Sequence, residues 1–170
     1  MESVDPVPNG IAIAVESPDQ PEAIALLAEL DTYLMSLYRP ESNHLLDVAA
    51  LRVPSIRFFV ARRQTAAVGC GALRLEAGGF GEVKRMFVSP AARGFGVGRK
   101  LLGVIEDEAR RRGLHTLRLE TGIYQPEALG LYASAGYRET DPFGDYPAGD
   151  AVSRFFAKRL VATSRAGGFS

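Results

Sequence analysis

The stretch Arg93-Gly-Phe-Gly-Val-Gly-Arg-Lys100 sets three glycines at alternate positions between arginines, directly ahead of a segment with helical apolar spacing. The first amides of a helix lack intrahelical acceptors, and the aligned peptide dipoles leave a partial positive charge there. With glycine at Gly94, Gly96 and Gly98, no Cβ keeps a ligand away from those amides. The pattern suits a phosphate or pyrophosphate held by the main chain of Phe95, Gly96, Val97, Gly98 and Arg99. Arg93, Arg99 and Lys100 are available as charged arms.

Other residue types that could do chemistry form weaker patterns. Cys70 lies between Gly69 and Gly71 in a strand-like run and reads as a small buried filler. His44, His115 and a single cysteine provide no metal-ligand spacing, so no metal is expected, and no G-x-S-x-G nucleophile elbow occurs. Arg110, Arg111 and Arg112 suit the negative end of a helix dipole better than a nucleic acid. Twenty basic and twenty acidic residues cancel, which argues against a polyanionic partner bound by bulk charge. No apolar run approaches the roughly 20 residues that cross a bilayer, so no membrane partner is expected. The lone cysteine and the absence of a signal-peptide pattern at the N-terminus point to a cytoplasmic protein.

The elements that must position the glycine stretch can be read from period and punctuation. Gly10–Ser17 reads as a strand. Pro21 opens a helix to about Tyr38, with Ile24, Leu27, Leu30, Leu34 and Leu37 at helical spacing. Pro40 ends it, and Ser42 or Asn43 is placed to cap a second small helix. Ile56–Arg63 and Ala66–Glu76, separated by Gln64-Thr65, form a hairpin, and Gly78-Gly79 turns the chain into a third strand, Gly81–Ser89. A helix follows with Leu101, Leu102, Ile105 and Ala109 on its buried face and Gly113 at its end. A strand at His115–Thr121, a short helix at Pro126–Ala135 and a last strand at Ala151–Leu160 complete the order. The 170 residues make one domain, with residues 1–9 and 161–170 expected to be flexible. The fold class is α/β, specifically α+β: a mixed, mostly antiparallel sheet of about six to seven strands with helices on both faces.

Two phosphate-binding readings compete. A dinucleotide turn wants G-x-G-x-x-G with an acidic residue about 20 positions on. Glu120 closes the next strand, but Arg99 stands where the third glycine belongs, and antiparallel hairpins precede the turn. The alternative fits better. Arg93-x-x-Gly96-x-Gly98, the preceding strand Glu82–Val88, the following helix with Leu101, Leu102, Glu106 and Ala109, and the segment Ala128–Glu139 occur in the order and spacing of the GNAT superfamily. The chain resembles these acyl-CoA-dependent N-acyltransferases from about Phe58 to Leu160.

The resemblance implies acetyl-CoA as co-substrate and a primary amine of a small molecule as acceptor. It implies that Met86, Phe87 and Val88 pair with the pantetheine arm as a strand would. Tyr132 matches the family tyrosine that protonates the leaving thiolate, and Glu82 matches the position of a frequent general base, with Glu120 in reserve. Such a base has real work to do. An alkyl amine of pKa near 10.4 is neutral in only about one molecule in 2,500 at pH 7, a deficit of roughly 4.6 kcal/mol.

Strand alternation puts Glu82, Lys84, Met86 and Val88 on one face and Arg85 on the other, with Lys84 favouring ionised Glu82. The stretch Leu37–Asp47, LYRPESNHLLD, occupies the region that lines the acceptor site in the family and resembles a bacterial subgroup with an LYxxESNHxLD segment. Tyr38, Arg39, Glu41, Ser42, Asn43 and His44 are its candidate substrate residues, and Arg85 or Lys84 is placed to meet a substrate carboxylate. The resemblance further implies a capacity to dimerise through the C-terminal strands. A non-catalytic acyl-CoA-binding module and a protein lysine acetyltransferase remain open alternatives.

Overall fold

The computed structural model describes residues 10–42, 47–147 and 149–161. Strand β1 (Ile11–Val15) leads to helix α1 (Pro21–Leu37), with Pro21 in the first turn where its missing N–H costs nothing. The buried stripe of α1 is Ala23, Leu26, Leu27, Leu30 and Leu34. Ile24 is turned outward and 42% exposed, because the stripe centres one residue away from the expected one. A 3₁₀ turn at Pro40–Ser42 follows, then a single helical turn, α2 (Val48–Leu51). Its cap is Asp47, whose carboxylate accepts from the Ala50 amide at 2.8 Å. The expected cap at Ser42 is therefore incorrect, since Ser42 closes the 3₁₀ turn, while Asn43, the other expected cap, lies outside the described residues.

The hairpin β2 (Ile56–Arg63) and β3 (Ala66–Leu75) is tied by Gln64, at φ 55°. Strand β4 (Phe80–Val88), helix α3 (Val97–Arg111) and strand β5 (Thr116–Gly122) make the one parallel crossover among the described residues. Helix α4 (Pro126–Ser134), the three-residue strand β6 (Arg138–Thr140) and β7 (Ser153–Arg159) finish the chain. Seven strands form one mixed sheet in the order β1-β2-β3-β4-β5-β7-β6, antiparallel except for β4–β5. Strand β6 was missed in the sequence because all three of its residues are exposed and carry no apolar alternation.

Each face of the sheet has its own core. On one side Val97, Leu101, Leu102, Ile105 and Ala109 of α3 pack on Leu73, Val83 and Leu117. On the other, α1 packs its leucines on Phe58, Val60, Cys70 and Phe87. Burying both faces explains why the central strands read as nearly continuous apolar runs.

Two irregularities in this frame create the site. First, β4 and β5 pair only from Phe80–Glu82 against Thr116–Arg118. Beyond that, β4 stays with β3 through Val88 and β5 stays with β7 through Gly122, so the two parallel strands splay apart. Second, the β3–β4 register shifts between Cys70 and Ala72, and Arg85 sits in the left-handed region at φ 55°. This is a bulge, and it adds one residue to β4.

The bulge corrects the expected alternation. Glu82, Lys84 and Arg85 all reach the α1 side: Lys84 pairs with Ala72, and Arg85 bonds Asp31 and the Leu27 carbonyl. Met86 and Val88 turn to the α3 side and pack on its core. Glu82 and Met86 therefore do not share a face.

Candidate active site

The glycine stretch becomes the turn into α3. Gly96 is the N-cap at φ 74° and Gly94 has φ 87°, both in the left-handed region that suits glycine. No side chain caps this helix, so its first amides open on the loop. A cavity of about 350 Å³ runs along that opening, lined by Arg93, Gly94, Gly96, Val97, Gly98 and Arg99. It continues past Met86, Phe87 and Val88 to Tyr132. The Ser89 amide donates to Val68 on β3, so by strand alternation Val88 presents its main chain to the splayed edge. The Val88 carbonyl indeed accepts from Arg93 Nε at 3.3 Å. An unpaired strand edge leading to a helix N-terminus fits a ligand that is amide-bearing at one end and pyrophosphate at the other.

Not every arm reaches inward. Phe95 is 47% exposed and its ring lies under the Arg63 guanidinium at 4.4 Å. Neither the Phe95 nor the Lys100 side chain lines the cavity. Arg99 does, while donating to the Ser134 hydroxyl at 2.9 Å.

A second, smaller cavity of about 100 Å³ opens where β4 and β5 part. Its β4 wall carries Lys84, Arg85 and Met86, its β5 wall Glu120, Thr121 and Gly122, and α1 roofs it with Leu30, Leu34 and Tyr38. Tyr132 lines both cavities and is their junction. Its phenol is 6% exposed, and burial, followed by the negative charge of Glu120, pushes its pKa well above the ordinary tyrosine value. Tyr132 thus keeps its proton across the working pH range and stands within electrostatic reach of Glu120.

The mouth of this cleft is bridged by Tyr38. Its hydroxyl accepts from the Tyr124 amide at 3.0 Å and donates to Gln125 Oε1 at 3.3 Å, and its ring stacks on Tyr124 with centroids 5.5 Å apart. Gly122 permits the bridge, since a Cβ there would overlap the Tyr38 hydroxyl. Of the other acceptor-side expectations, Ser42 lines the cleft and Arg39 does not. Asn43, His44 and the Glu41 side chain lie outside the described residues.

Glu82 is not in either cavity. It lies 2% exposed beneath Tyr146, whose hydroxyl donates to it at 2.5 Å, with Lys84 Nζ 3.5 Å away. It lines a third cavity with Arg74, Glu76, Lys84 and Tyr146. The splay of β4 and β5 explains the displacement: the cleft lies beside the second half of β4, and Glu82 belongs to the paired half. Burial raises the Glu82 carboxyl above its ordinary value, against the opposing pull of Lys84 and of the Tyr146 hydrogen bond.

A carboxyl raised in the folded state stabilises most below its unfolded pKa, and that contribution is lost as pH rises through the folded value. Glu82→Gln lacks this loss. Its stability relative to the parent chain is therefore expected to improve between about pH 4 and pH 7, read from urea midpoints at both values. A difference that is constant with pH would contradict the assignment.

Sequence reasoning missed Gln125, Ser153 and Tyr146. Gln125 precedes Pro126 and anchors both the Gly122 amide and Tyr38. Ser153 arrives from β7, and Tyr146 comes from the loop between β6 and β7. None carries a local signal: Gln125 stands in the turn before α4, Ser153 arrives by the pairing of β7 with β5, and Tyr146 is carried in by its loop. Among the described residues no group of three or more His, Cys, Asp or Glu could hold a metal ion, and no helix is long and apolar enough to cross a membrane.

Comparison with known proteins bears on this geometry. The model of the acetyltransferase (GNAT) family matches residues 21–137, from the start of α1 to just beyond α4. An IAA acetyltransferase from Azospirillum brasilense is 53% identical over 155 residues, 91% of this chain and 100% of the relative. A solved structure from Klebsiella pneumoniae subsp. pneumoniae MGH 78578, described as an acyl-CoA N-acyltransferase, is 38% identical with a TM-score of 0.76. The match covers 90% of this chain and 99% of that one. PaiA N-acetyltransferase from Thermoplasma acidophilum, solved in complex with coenzyme A, shares the fold with a TM-score of 0.70 at 18% identity. That match covers 88% of this chain and 98% of the other.

Proposed function

The chain belongs to the acetyltransferase (GNAT) family and is an acyl-CoA-dependent N-acetyltransferase, and from that premise we propose that it acetylates a primary amine of a small molecule by direct attack on the acetyl-CoA thioester. The observation that carries this reading is the meeting of two cavities at Tyr132, one built on the α3 N-terminus and the other lying between β4 and β5 with Lys84, Arg85 and Glu120 in its lining.

In this reading the amides from Phe95 to Arg99 hold the pyrophosphate, aided by Arg93, and the open edge of β4 from Met86 to Val88 guides the pantetheine toward the cleft. The amine occupies the smaller cavity and Glu120 takes its proton. Nitrogen attacks the carbonyl carbon, and the developing oxyanion is met by the main-chain amide near Met86. The carbon–sulfur bond then breaks and the Tyr132 hydroxyl donates its proton to the departing thiolate.

The role of Glu82 shifts accordingly, from base to buried anchor of Lys84 and Tyr146. The stretch LYRPESNHLLD supplies the acceptor side through Tyr38 and Ser42, which line the cleft. We further assign the chain a single catalytic domain, a cytoplasmic setting, no metal requirement and a homodimer through its C-terminal strands.

The test is calorimetric titration with coenzyme A, followed by release of free thiol from acetyl-CoA across a panel of primary amines. Saturable coenzyme A binding and amine-dependent thiol release are expected. Binding without turnover on any amine would leave a non-catalytic acyl-CoA module, and no binding at all would refute the cofactor site.

A further inference from the structure

Resting on the acyl-transfer reading above, we propose that the acceptor carries an uncharged oxygen near its amine, a hydroxyl or an amide carbonyl, and that Gln125 and Ser153 at the β5 end of the cleft are the residues that bind it.

Ser153 supplies the first observation. Among the described residues four buried side-chain polar atoms lack a hydrogen-bond partner. Three are the Nε atoms of Arg57, Arg85 and Arg118, whose guanidinium groups already meet Glu108, Asp31 and Glu76. The fourth is Ser153 Oγ, the one polar atom of its side chain, and Ser153 lines the cleft. Its direction follows from pairing. Ser153 stands opposite Gly122 in the antiparallel β5–β7 ladder, so the two positions project to the same face of the sheet. Tyr38 covers that face, since a Cβ on Gly122 would meet the Tyr38 hydroxyl. The Ser153 hydroxyl therefore belongs to the cleft side. An enclosed hydroxyl without a partner is rare in a folded chain and calls for a ligand to complete it.

Gln125 is a second, independent observation. Its Oε1 accepts from the Gly122 amide at 3.2 Å and from the Tyr38 hydroxyl at 3.3 Å. The Tyr38 hydroxyl is itself the acceptor for the Tyr124 amide, so its one proton goes to Gln125. These two donors fix which end of the carboxamide is oxygen. Nε2 is left with two N–H groups that no described residue accepts, on a side chain that lines both cavities. Gly122 joins the two observations, because it pairs with Ser153 and donates to Gln125.

The charges around the cleft then select among ligands. Lys84 gives its ammonium to Glu82 and Tyr146, and Arg85 gives its guanidinium to Asp31 and the Leu27 carbonyl. None of those four partners lines the cleft, so the contacts of Lys84 and Arg85 do not support the expected meeting with a substrate carboxylate. A carboxylate bound by Ser153 and Gln125 would trade water for neutral donors in a cleft that already holds Glu120. A plain alkyl amine would leave Ser153 and Gln125 unsatisfied. A neutral oxygen accepts from Gln125 Nε2 or the Ser153 hydroxyl, and a ligand hydroxyl can also donate to Ser153.

Four acceptors of one carbon skeleton decide the matter: an amino alcohol, an amino acid amide, the amino acid itself and the plain amine. With acetyl-CoA saturating, kcat/KM for the better of the alcohol and the amide is expected to exceed that of the acid and of the plain amine by about 100-fold. Which of the two leads tells hydroxyl from carbonyl. Ser153→Ala is expected to shrink that lead by about tenfold or more, chiefly through a higher KM, with coenzyme A affinity held within about twofold. Gln125→Glu keeps an oxygen for Gly122 and Tyr38 but turns the donor into an acceptor, and it should shrink the lead as well. The proposal is overturned if the plain amine or the acid matches the better neutral acceptor, or if the lead survives either substitution. Should a variant fold poorly, the comparison on the unaltered chain decides by itself. Should no amine release thiol, the acyl-transfer reading fails separately. Calorimetry of the four acceptors on the coenzyme A complex then tests recognition alone, and affinities that do not favour the alcohol or the amide would overturn it.

Discussion

Glu120→Gln is expected to lower kcat/KM for the amine acceptor about 100-fold or more, with coenzyme A affinity unchanged. The amine must surrender a proton that it holds tightly at pH 7, and Glu120 is the carboxylate on the walls of the cleft proposed to hold it. Its negative charge is felt by three surrounding phenols, adding to the burial that raises Tyr38, Tyr132 and Tyr146. Glutamine keeps the shape and the hydrogen-bonding reach but accepts no proton at working pH. Glu82→Gln, in the separate cavity, should cost less than about tenfold. If the two variants exchange these behaviours, proton removal belongs to Glu82 and the cleft has been misread.

Tyr132→Phe is expected to lower kcat by about tenfold or more while the dissociation constant of coenzyme A stays within about twofold. The phenylalanine ring preserves the packing on Tyr137, whose ring centroid lies 5.8 Å away. What is lost is the hydroxyl at the junction of the two cavities. A free thiolate of pKa about 8.5 leaves more readily when it receives a proton, and a phenol held protonated by burial can provide one. An acyl donor with an aromatic thiol as leaving group needs less help, so the variant should recover most of its rate with such a donor. Equal losses with both donors would mean that Tyr132 packs and does not donate.

Much of this site was legible before any coordinates. Gly94, Gly96 and Gly98 reveal their purpose locally, because a helix start and its backbone freedom depend on adjacent residues. Leu101, Leu102, Ile105 and Ala109 likewise declare a buried face by period alone, and all four are buried in α3. Tyr132 could be placed because the segment around it is contiguous. In each case the information sits within about one or two turns of chain.

Arg85 and Glu82 show where that kind of reading stops. Period 2 put Arg85 opposite Glu82 and Lys84, and a single inserted residue reversed the relation of everything after it. A bulge is set by the pairing of β4 with β3, and neither strand carries it alone. The same holds for the stretch of splayed edge between β4 and β5, which comes from β5 staying with β7.

The sequence by itself determined the order of the elements other than β6 and the glycine turn into α3, since these depend on neighbours in the chain, and the thioester chemistry followed from the family resemblance those segments carry. Only the tertiary structure decided which carboxylate lines the cleft. Glu120, the adjacent pair Lys84 and Arg85, and Ser153 are far apart along the chain. They share a cleft only because a bulge and a parted strand pair bring them there.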